Sequence, residues 1–308
     1  MWRQTRRRKV GRNLPASAGR ALQLGCNNIT AGGACRIADQ LRASPQVVTG
    51  VWLKRNPLGG GGGRAAAELV ESARSLRTLD LVQTGLDAAG TAVLAEALLA
   101  AAGNGRRIER LFVGGNPLGE AGSVALAAVL AAGAIDELYV SAAGLGDAGA
   151  QHLAHALERA PYGRLARLSV ASNGIGPRAA ARLVAAATTA GVTLLDLGRV
   201  RAAAVLGAAD NHIDMPAAET IAEALAGTTH RLTHLVTRRP PCGEDSTPPP
   251  HRRSSPEQSP AVNGQPGITV GHEDLRAVKT RHLHHTGGLR HDQARPVSTT
   301  LVINTPSV

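Results

Sequence analysis

The chain has 308 residues, of which 43% are hydrophobic and only 2% aromatic, and its formal net charge is +11. The surplus is uneven, because residues 1–20 carry seven basic side chains and no acid, whereas residues 21–236 carry a net charge of +1. This distribution disfavours a basic nucleic-acid groove on a folded unit. The three cysteines are too few and too badly spaced for a disulfide framework or a zinc site, and no unbroken run of apolar residues predicts a membrane span.

Along the chain, one strand-like pattern of alternating apolar residues recurs, each time followed by asparagine or a replacement, which we call the anchor. The seven anchors are Asn27, Asn56, Thr84, Asn116, Ala143, Asn173 and Asn211, at intervals of 29, 28, 32, 27, 30 and 38 residues. Such self-similarity predicts stacked units, because a unit this short cannot bury its own apolar face.

A helical pattern follows most anchors. Apolar residues recur at helical spacing over 87–101, 120–133, 147–160, 177–190 and 215–227. Five units carry a glycine six residues after the anchor, where the helix begins and a small residue permits close approach. These glycines are Gly33, Gly62, Gly90, Gly122 and Gly149. Each unit is therefore predicted to be a short strand, a turn and an amphipathic helix.

The strand–turn–helix unit over residues 21–236 resembles the ribonuclease-inhibitor type of leucine-rich repeat. That type also occurs in the sensor regions of nucleotide-binding immune receptors and in the Ran GTPase-activating protein. The resemblance implies an α/β fold, a leucine-rich repeat solenoid (horseshoe) with a parallel β-sheet on the concave face and helices on the convex face, in about seven repeats. It also implies that the asparagine anchors hydrogen-bond the backbone of the turns. The motif is specific for a fold and says little about a partner.

Candidate binding residues lie four positions before each anchor, where alternation turns the side chain away from the core. In the seventh unit the position is taken from the strand, because the anchor there is displaced. These residues are Gln23, Trp52, Asp80, Phe112, Tyr139, Ser169 and Asp196. Three of the five aromatic residues in the chain fall in this one set. Because parallel strands lie about 4.8 Å apart, Phe112 and Tyr139 are expected to touch.

A second exposed set lies two positions before the anchor and consists mostly of small residues, with Lys54 as its long member. Small neighbours are expected to leave the aromatic rings accessible. The predicted interface therefore adds Lys54 to the seven residues above. The alternative is that aromatic residues merely favour strands and cover neighbouring apolar surface.

The seventh unit contains an insertion, since thirteen residues (198–210) separate Leu197 from Asn211 where two normally suffice. Insertions in repeat proteins map to loops that often bind partners. We expect this one to project from the rim, as a short helix across the concave mouth, with Arg199 and Arg201 as its polar contacts. An inert loop is the alternative.

The chain divides into a basic disordered segment (1–20), the repeat region (21–236) and a disordered tail rich in Pro, Arg and His (237–308). The tail holds ten of the seventeen prolines and interrupts an eighth strand pattern, which also fits an out-of-frame continuation of a longer repeat array.

The function predicted from the sequence is a non-enzymatic protein–protein interaction scaffold in the cytoplasm, without metal or cofactor. No nucleophile and base converge in the pattern. The alternatives are nucleic-acid or anionic-surface binding through the Arg-rich flanks, and a truncated repeat protein without a function of its own.

Overall fold

The computed structural model describes residues 20–237, apart from 202, 205, 227 and 228. These residues belong to a single unit of the chain. The predicted basic segment and the predicted tail lie outside the described residues, except for Arg20 and Thr237. Arg20 is the first residue of a strand, one position before the predicted start of the repeat region.

Strands and helices alternate along the described residues. The strands are β1 (Arg20–Gln23), β2 (Val48–Trp52), β3 (Thr78–Asp80), β4 (Ile108–Phe112), β5 (Ile135–Tyr139), β6 (Arg167–Ser169), β7 (Leu194–Asp196) and β8 (His234–Val236). The helices are α1 (Ala31–Arg42), α2 (Gly62–Ser72), α3 (Ala88–Gly103), α4 (Gly119–Ala131), α5 (Gly146–Arg159), α6 (Pro177–Thr189) and α7 (Met215–Ala226). No helix in this part of the chain is long and apolar enough to cross a membrane.

All eight strands form one parallel sheet, in which the spatial order follows the chain order. Each helix connects two neighbouring strands, and consecutive helices pack against each other. Connections of this kind are almost always right-handed, which places successive helices on the same side of the sheet. The predicted α/β alternation with a parallel sheet is confirmed.

The core lies between the sheet and the helices. Each strand from β2 to β7 buries two alternate positions of its apolar pattern completely, for example Leu79 and Leu81 around β3, and Leu138 and Val140 around β5. Burying such a side chain contributes about 2 kcal/mol each. Because side chains alternate along a strand, burial of this set turns the intervening residues to the opposite face. We call that side the free face.

The glycines predicted at the helix starts are sites of close approach. A Cβ on Gly122 would lie 2.8 Å from Cβ of Leu118, and one on Gly149 would lie 2.8 Å from Cβ of Leu145. Atoms at that distance clash, so any larger residue would push the buried leucine out of place. The predicted role of these small residues is confirmed.

The asparagine anchors bond the turns of adjacent units together. Asn116 is 1% exposed, and its Oδ1 accepts the amide hydrogens of Thr84, Gly85 and Leu86 of the preceding unit. Its Nδ2 donates to the carbonyl groups of Leu81 and Val113. Asn56, Asn173 and Asn211 bond in the same manner. The hydrogen-bonded ladder implied by the resemblance is therefore observed.

The anchors Thr84 and Ala143 lack a side-chain amide, and the turn of the unit before each of them contains a proline. Pro57 and Pro117 follow the anchors of the units that precede Thr84 and Ala143. Proline has no N–H at that position, so one fewer donor needs an acceptor. The backbone carbonyl of the next anchor accepts an amide hydrogen, from Gly59 onto Thr84 and from Gly119 onto Ala143, as that of Asn173 does from Gly146. In the two proline turns the missing N–H leaves the next anchor's side chain one donor fewer to satisfy.

Candidate functional site

The residues predicted four positions before each anchor lie side by side across the sheet. Strand pairing places them in one register in the order Gln23, Trp52, Asp80, Phe112, Tyr139, Ser169, Asp196, with Val236 continuing at β8. We call these eight residues the central row. The structure therefore brings all seven predicted residues of this set onto a single line on the free face.

Not every member of the row is as open as the sequence predicts. Trp52, Phe112 and Tyr139 are partly exposed, but Asp80 is 6% and Ser169 is 4% exposed. The expectation of exposure is wrong for these two residues, because each is a short side chain between longer neighbours in the row. The row consequently contains both partly exposed aromatic rings and buried polar groups.

Phe112 and Tyr139 form the predicted aromatic contact. Their ring centroids are 4.3 Å apart and their planes differ by 7°, so the rings are stacked. The Tyr139 hydroxyl donates to Oε2 of Glu137 at 2.8 Å. Burial, together with the Glu137 carboxylate, raises the pKa of Tyr139 to about 12, so the phenol stays neutral. Arg167 lies 3.7 Å from Oε1 of Glu137 and completes this cluster.

Trp52 owes its position to a glycine in its own strand. A Cβ on Gly50 would lie 2.3 Å from Cζ3 and 2.4 Å from Cη2 of the indole. The six-membered ring therefore lies directly over the Gly50 backbone, where any side chain would collide with it. A strand glycine that admits such a close approach is a packing requirement rather than a weakness of the strand.

Asp80 is a buried carboxyl group between two aromatic residues of the row. Its Oδ1 accepts the amide hydrogen of Val82 at 3.0 Å. Burial raises the pKa of Asp80 above the ordinary value, while the Val82 amide and the positive charge of Lys54 oppose that rise. Lys54 itself extends over the neighbouring strand, where its Cγ would lie 3.0 Å from a Cβ on Gly25.

Hydroxyl groups link the far end of the row. Ser141 and Ser169 share a hydrogen bond of 2.8 Å, and Ser169 donates to Oδ2 of Asp196 at 2.8 Å. The other oxygen of Asp196 accepts the amide hydrogen of Gly198. This chain of bonds fixes the polar end of the free face beside the aromatic pair.

A charged row that the sequence reasoning missed lies two positions earlier on the same face. Strand pairing aligns Arg110 with Glu137 and Glu137 with Arg167. Arg110 donates to Oγ1 of Thr78 at 3.2 Å. The signal was present in the alternation of the strands, since every second residue before the central row belongs to the free face.

The insertion of the seventh unit is built from turns. Its described residues carry turn hydrogen bonds such as Ala203 N–H to Val200 O, so the expected short helix is wrong for that part of the chain. Arg199 forms an ion pair with Asp210 inside the insertion at 3.2 Å, and Arg201 is exposed. The Arg199 contact is therefore internal in this structure.

The insertion does not project freely but folds back along the edge where the strands end. Val200 donates to Oγ of Ser172 at 2.8 Å, and Leu206 Cδ1 would lie 3.5 Å from a Cβ on Gly115, a residue of the fourth unit. The residues directly before the anchors are small in the fourth to sixth units, namely Gly115, Ala142 and Ser172. Ala142 and Ser172 are buried, whereas Arg55 at the same position of the second unit is exposed. Small residues therefore make room for the insertion.

Across the described residues, no group of three or more His, Cys, Asp and Glu side chains is placed to hold a metal ion. Comparison of the chain with models of known protein families and with curated proteins finds no match.

Proposed function

We propose that residues 21–236 form a leucine-rich repeat horseshoe of the ribonuclease-inhibitor type, in about seven repeats, with the free face as its concave surface. The parallel sheet, the alternation with helices and the asparagine-bonded turns support this assignment. A stack of such units offers an extended binding surface rather than a deep pocket.

We further propose that the protein is a non-enzymatic scaffold that binds a protein partner through the central row. The supporting observation is the stacked Phe112–Tyr139 pair, with Trp52 in the same row, partly exposed on the free face. Aromatic side chains dominate binding energy at protein interfaces because they bury much apolar area at little cost in conformational entropy. Stacking holds the Phe112 and Tyr139 rings in place, and the close contact with Gly50 holds the Trp52 ring. Rings that are already fixed before binding lose less conformational entropy when a partner binds.

The polar groups of the row support binding rather than catalysis. Ser169 donates directly to the carboxylate of Asp196, without an imidazole between them. A hydroxyl bonded in this way is not activated as a nucleophile by a Ser–His pair. The groups instead act as fixed hydrogen-bonding partners at the edge of an apolar patch.

The experiment is affinity capture from a lysate with the full chain as bait. The test variant changes Trp52, Phe112 and Tyr139 to alanine together, and the matched control changes Tyr162, which is 64% exposed and outside the central row. We expect a partner that wild type and Tyr162→Ala retain and the triple variant loses. Circular dichroism verifies folding, and the single variant Trp52→Ser provides a milder test. Retention by the triple variant would reject the central row as the interface.

The alternative of nucleic-acid or anionic-surface binding depends on residues 1–20, outside the described residues. Binding through their arginines would weaken steeply with salt and would vanish when these arginines are changed to glutamine. The cytoplasmic location stays a prediction.

A further inference from the structure

We propose that the central row contains a subsite for an organic cation, the arginine or lysine side chain of a protein partner, over Asp80 and between Trp52 and Phe112. This inference rests on the proposed function, because it names the chemistry that the partner presents to the same face. The space above Asp80, between these two aromatic residues in the row, is called the cation slot below.

The floor of the cation slot is a carboxyl group that forms no ion pair with another described residue. None of the ion pairs between described residues includes Asp80. Its Oδ1 accepts one hydrogen bond, from Val82. Its Oδ2 accepts none from the described residues, and it is not among the unpaired side-chain atoms there that are sealed from solvent. Oδ2 therefore opens to the free face, where a cation would offset the cost of burying the charge.

One wall of the slot is an aromatic face. The Phe112 and Tyr139 rings stack at 4.3 Å along the direction that runs from strand to strand. Tyr139 covers the face of Phe112 toward β5, and β3 pairs with β4 on the other side. The second face of Phe112 is consequently turned toward the space above Asp80. A cation at that place meets both the negative face of a ring and a carboxylate.

On the other side, Trp52 is the neighbour of Asp80 in the central row, one strand away on β2, and its indole lies over Gly50. The Lys54 chain lies over Gly25, and none of the ion pairs between described residues joins it to Asp80, although its charge lowers the pKa of that carboxyl group. A guanidinium fits the slot better than an ammonium, since its plane stacks on a ring while its edge donates to a carboxylate.

The test uses nuclear magnetic resonance, because Phe112 is the one phenylalanine in the chain and selective labelling gives a single ring probe. The full-length protein is titrated with the blocked peptide acetyl-Gly-Arg-Gly-amide and with the same peptide containing citrulline, which is neutral and of similar shape. We expect saturable shifts of the Phe112 signals with arginine, and at least tenfold weaker binding of citrulline. Equal binding of the two peptides would overturn the proposal.

The variant Asp80→Asn keeps an acceptor for the Val82 amide and removes the charge. We expect at least tenfold weaker binding of the arginine peptide by this variant, while Asp39→Asn on helix α1 binds as wild type does. Unchanged affinity in Asp80→Asn would overturn the proposal. Equally tight binding of free arginine would overturn the assignment to a protein partner. A shift of the Phe112 signals when the arginines of residues 1–20 are changed to glutamine would also overturn it, because the slot would then bind an arginine of the same chain.

The outcome is separable from that of the proposed function. Partner capture that is lost in the triple alanine variant but intact in Asp80→Asn would reject the cation slot and leave the scaffold standing. Peptide binding at the slot without any captured partner would instead reject the scaffold.

Discussion

At the scale of single residues, the anchors show how one side chain serves two units. Asn116 is buried and satisfies three amide hydrogens of one turn and carbonyl groups of its own and the preceding unit. Leaving a buried backbone group unsatisfied costs about 1–3 kcal/mol. We therefore expect Asn116→Ala to lower the free energy of unfolding in urea by about 3 kcal/mol or more.

The matched control for this prediction is Asn27→Ala. Asn27 is an exposed anchor whose side chain donates only to the carbonyl of Gly25. Its substitution is expected to change the free energy of unfolding by less than about 0.5 kcal/mol. Equal losses in the two variants would show that the buried bonds of Asn116 do not stabilise the turn.

Gly50 sets the position of a candidate interface residue, which gives a second prediction. In Gly50→Ala the new Cβ would lie 2.3 Å from the Trp52 ring, so the indole must move outward. We expect a red shift of Trp52 fluorescence, measured with Trp2 changed to phenylalanine, and a stability loss of about 1–3 kcal/mol from the displaced packing. The control is Gly32→Ala, whose Cβ meets nothing within 4 Å. An unshifted spectrum would contradict the proposed contact.

The buried carboxyl of the row predicts a pH dependence. Because burial raises the pKa of Asp80 above its ordinary value of 3.8, the charged form is tolerated less well in the folded than in the unfolded state. The stability that this group contributes is present at low pH and is lost as pH rises through its folded pKa. Lys54 is the basic side chain whose charge lowers the pKa of Asp80, whereas Arg110 bonds Thr78, two positions earlier on β3.

Asp80→Asn is accordingly expected to be more stable than wild type at pH 7, by an amount that shrinks toward pH 4. Urea unfolding at both pH values measures this difference, with Asp39→Asn as the control that shows no such gain. A less stable Asp80→Asn at pH 7 would mean that the charge contributes favourably in the folded state. A gain in stability combined with a loss of cation binding would mark Asp80 as a functional residue.

At the scale of elements, the insertion is the feature whose fold the sequence reasoning described least well. Its length and place were visible, but its turns depend on partners far along the chain. Ser172 bonds both ends of the insertion, accepting from Val200 N–H near its start and donating to Oδ1 of Asp210 at its end. Its side chain is fully buried beneath the insertion edge.

Ser172→Ala removes both bonds, so we expect the insertion to open more often. Loss of about 1 kcal/mol of local stability corresponds to roughly fivefold faster limited trypsin cleavage after Arg199 and Arg201. Ser141→Ala is the control, since Ser141 bonds Ser169 and not the insertion. Identical cleavage rates in wild type and both variants would show that other contacts hold the insertion in place.

At the scale of the whole molecule, the parts predictable from sequence are those set by period alone. Alternation and the anchor interval, together with the parallel sheet that the family resemblance implies, were enough to predict the buried positions and the Phe112–Tyr139 contact. The burial of Asp80 and Ser169 and the fit of Trp52 over Gly50 were missed, because they depend on side-chain size across neighbouring strands. Such effects require the register between units, and a pattern within one unit does not contain it.

The packing of each unit against only its neighbours leads to a last prediction. Helix packing runs between consecutive helices, so stability is transmitted from unit to unit along the stack. The end elements are the least covered: three residues of β1 are exposed, whereas all of β3 is buried. Hydrogen exchange is therefore expected to be slowest in β3–β6 and roughly 100-fold faster in β1 and β8, a difference of about 2.7 kcal/mol in opening free energy. Equal protection of β1 and β4 would contradict this gradient.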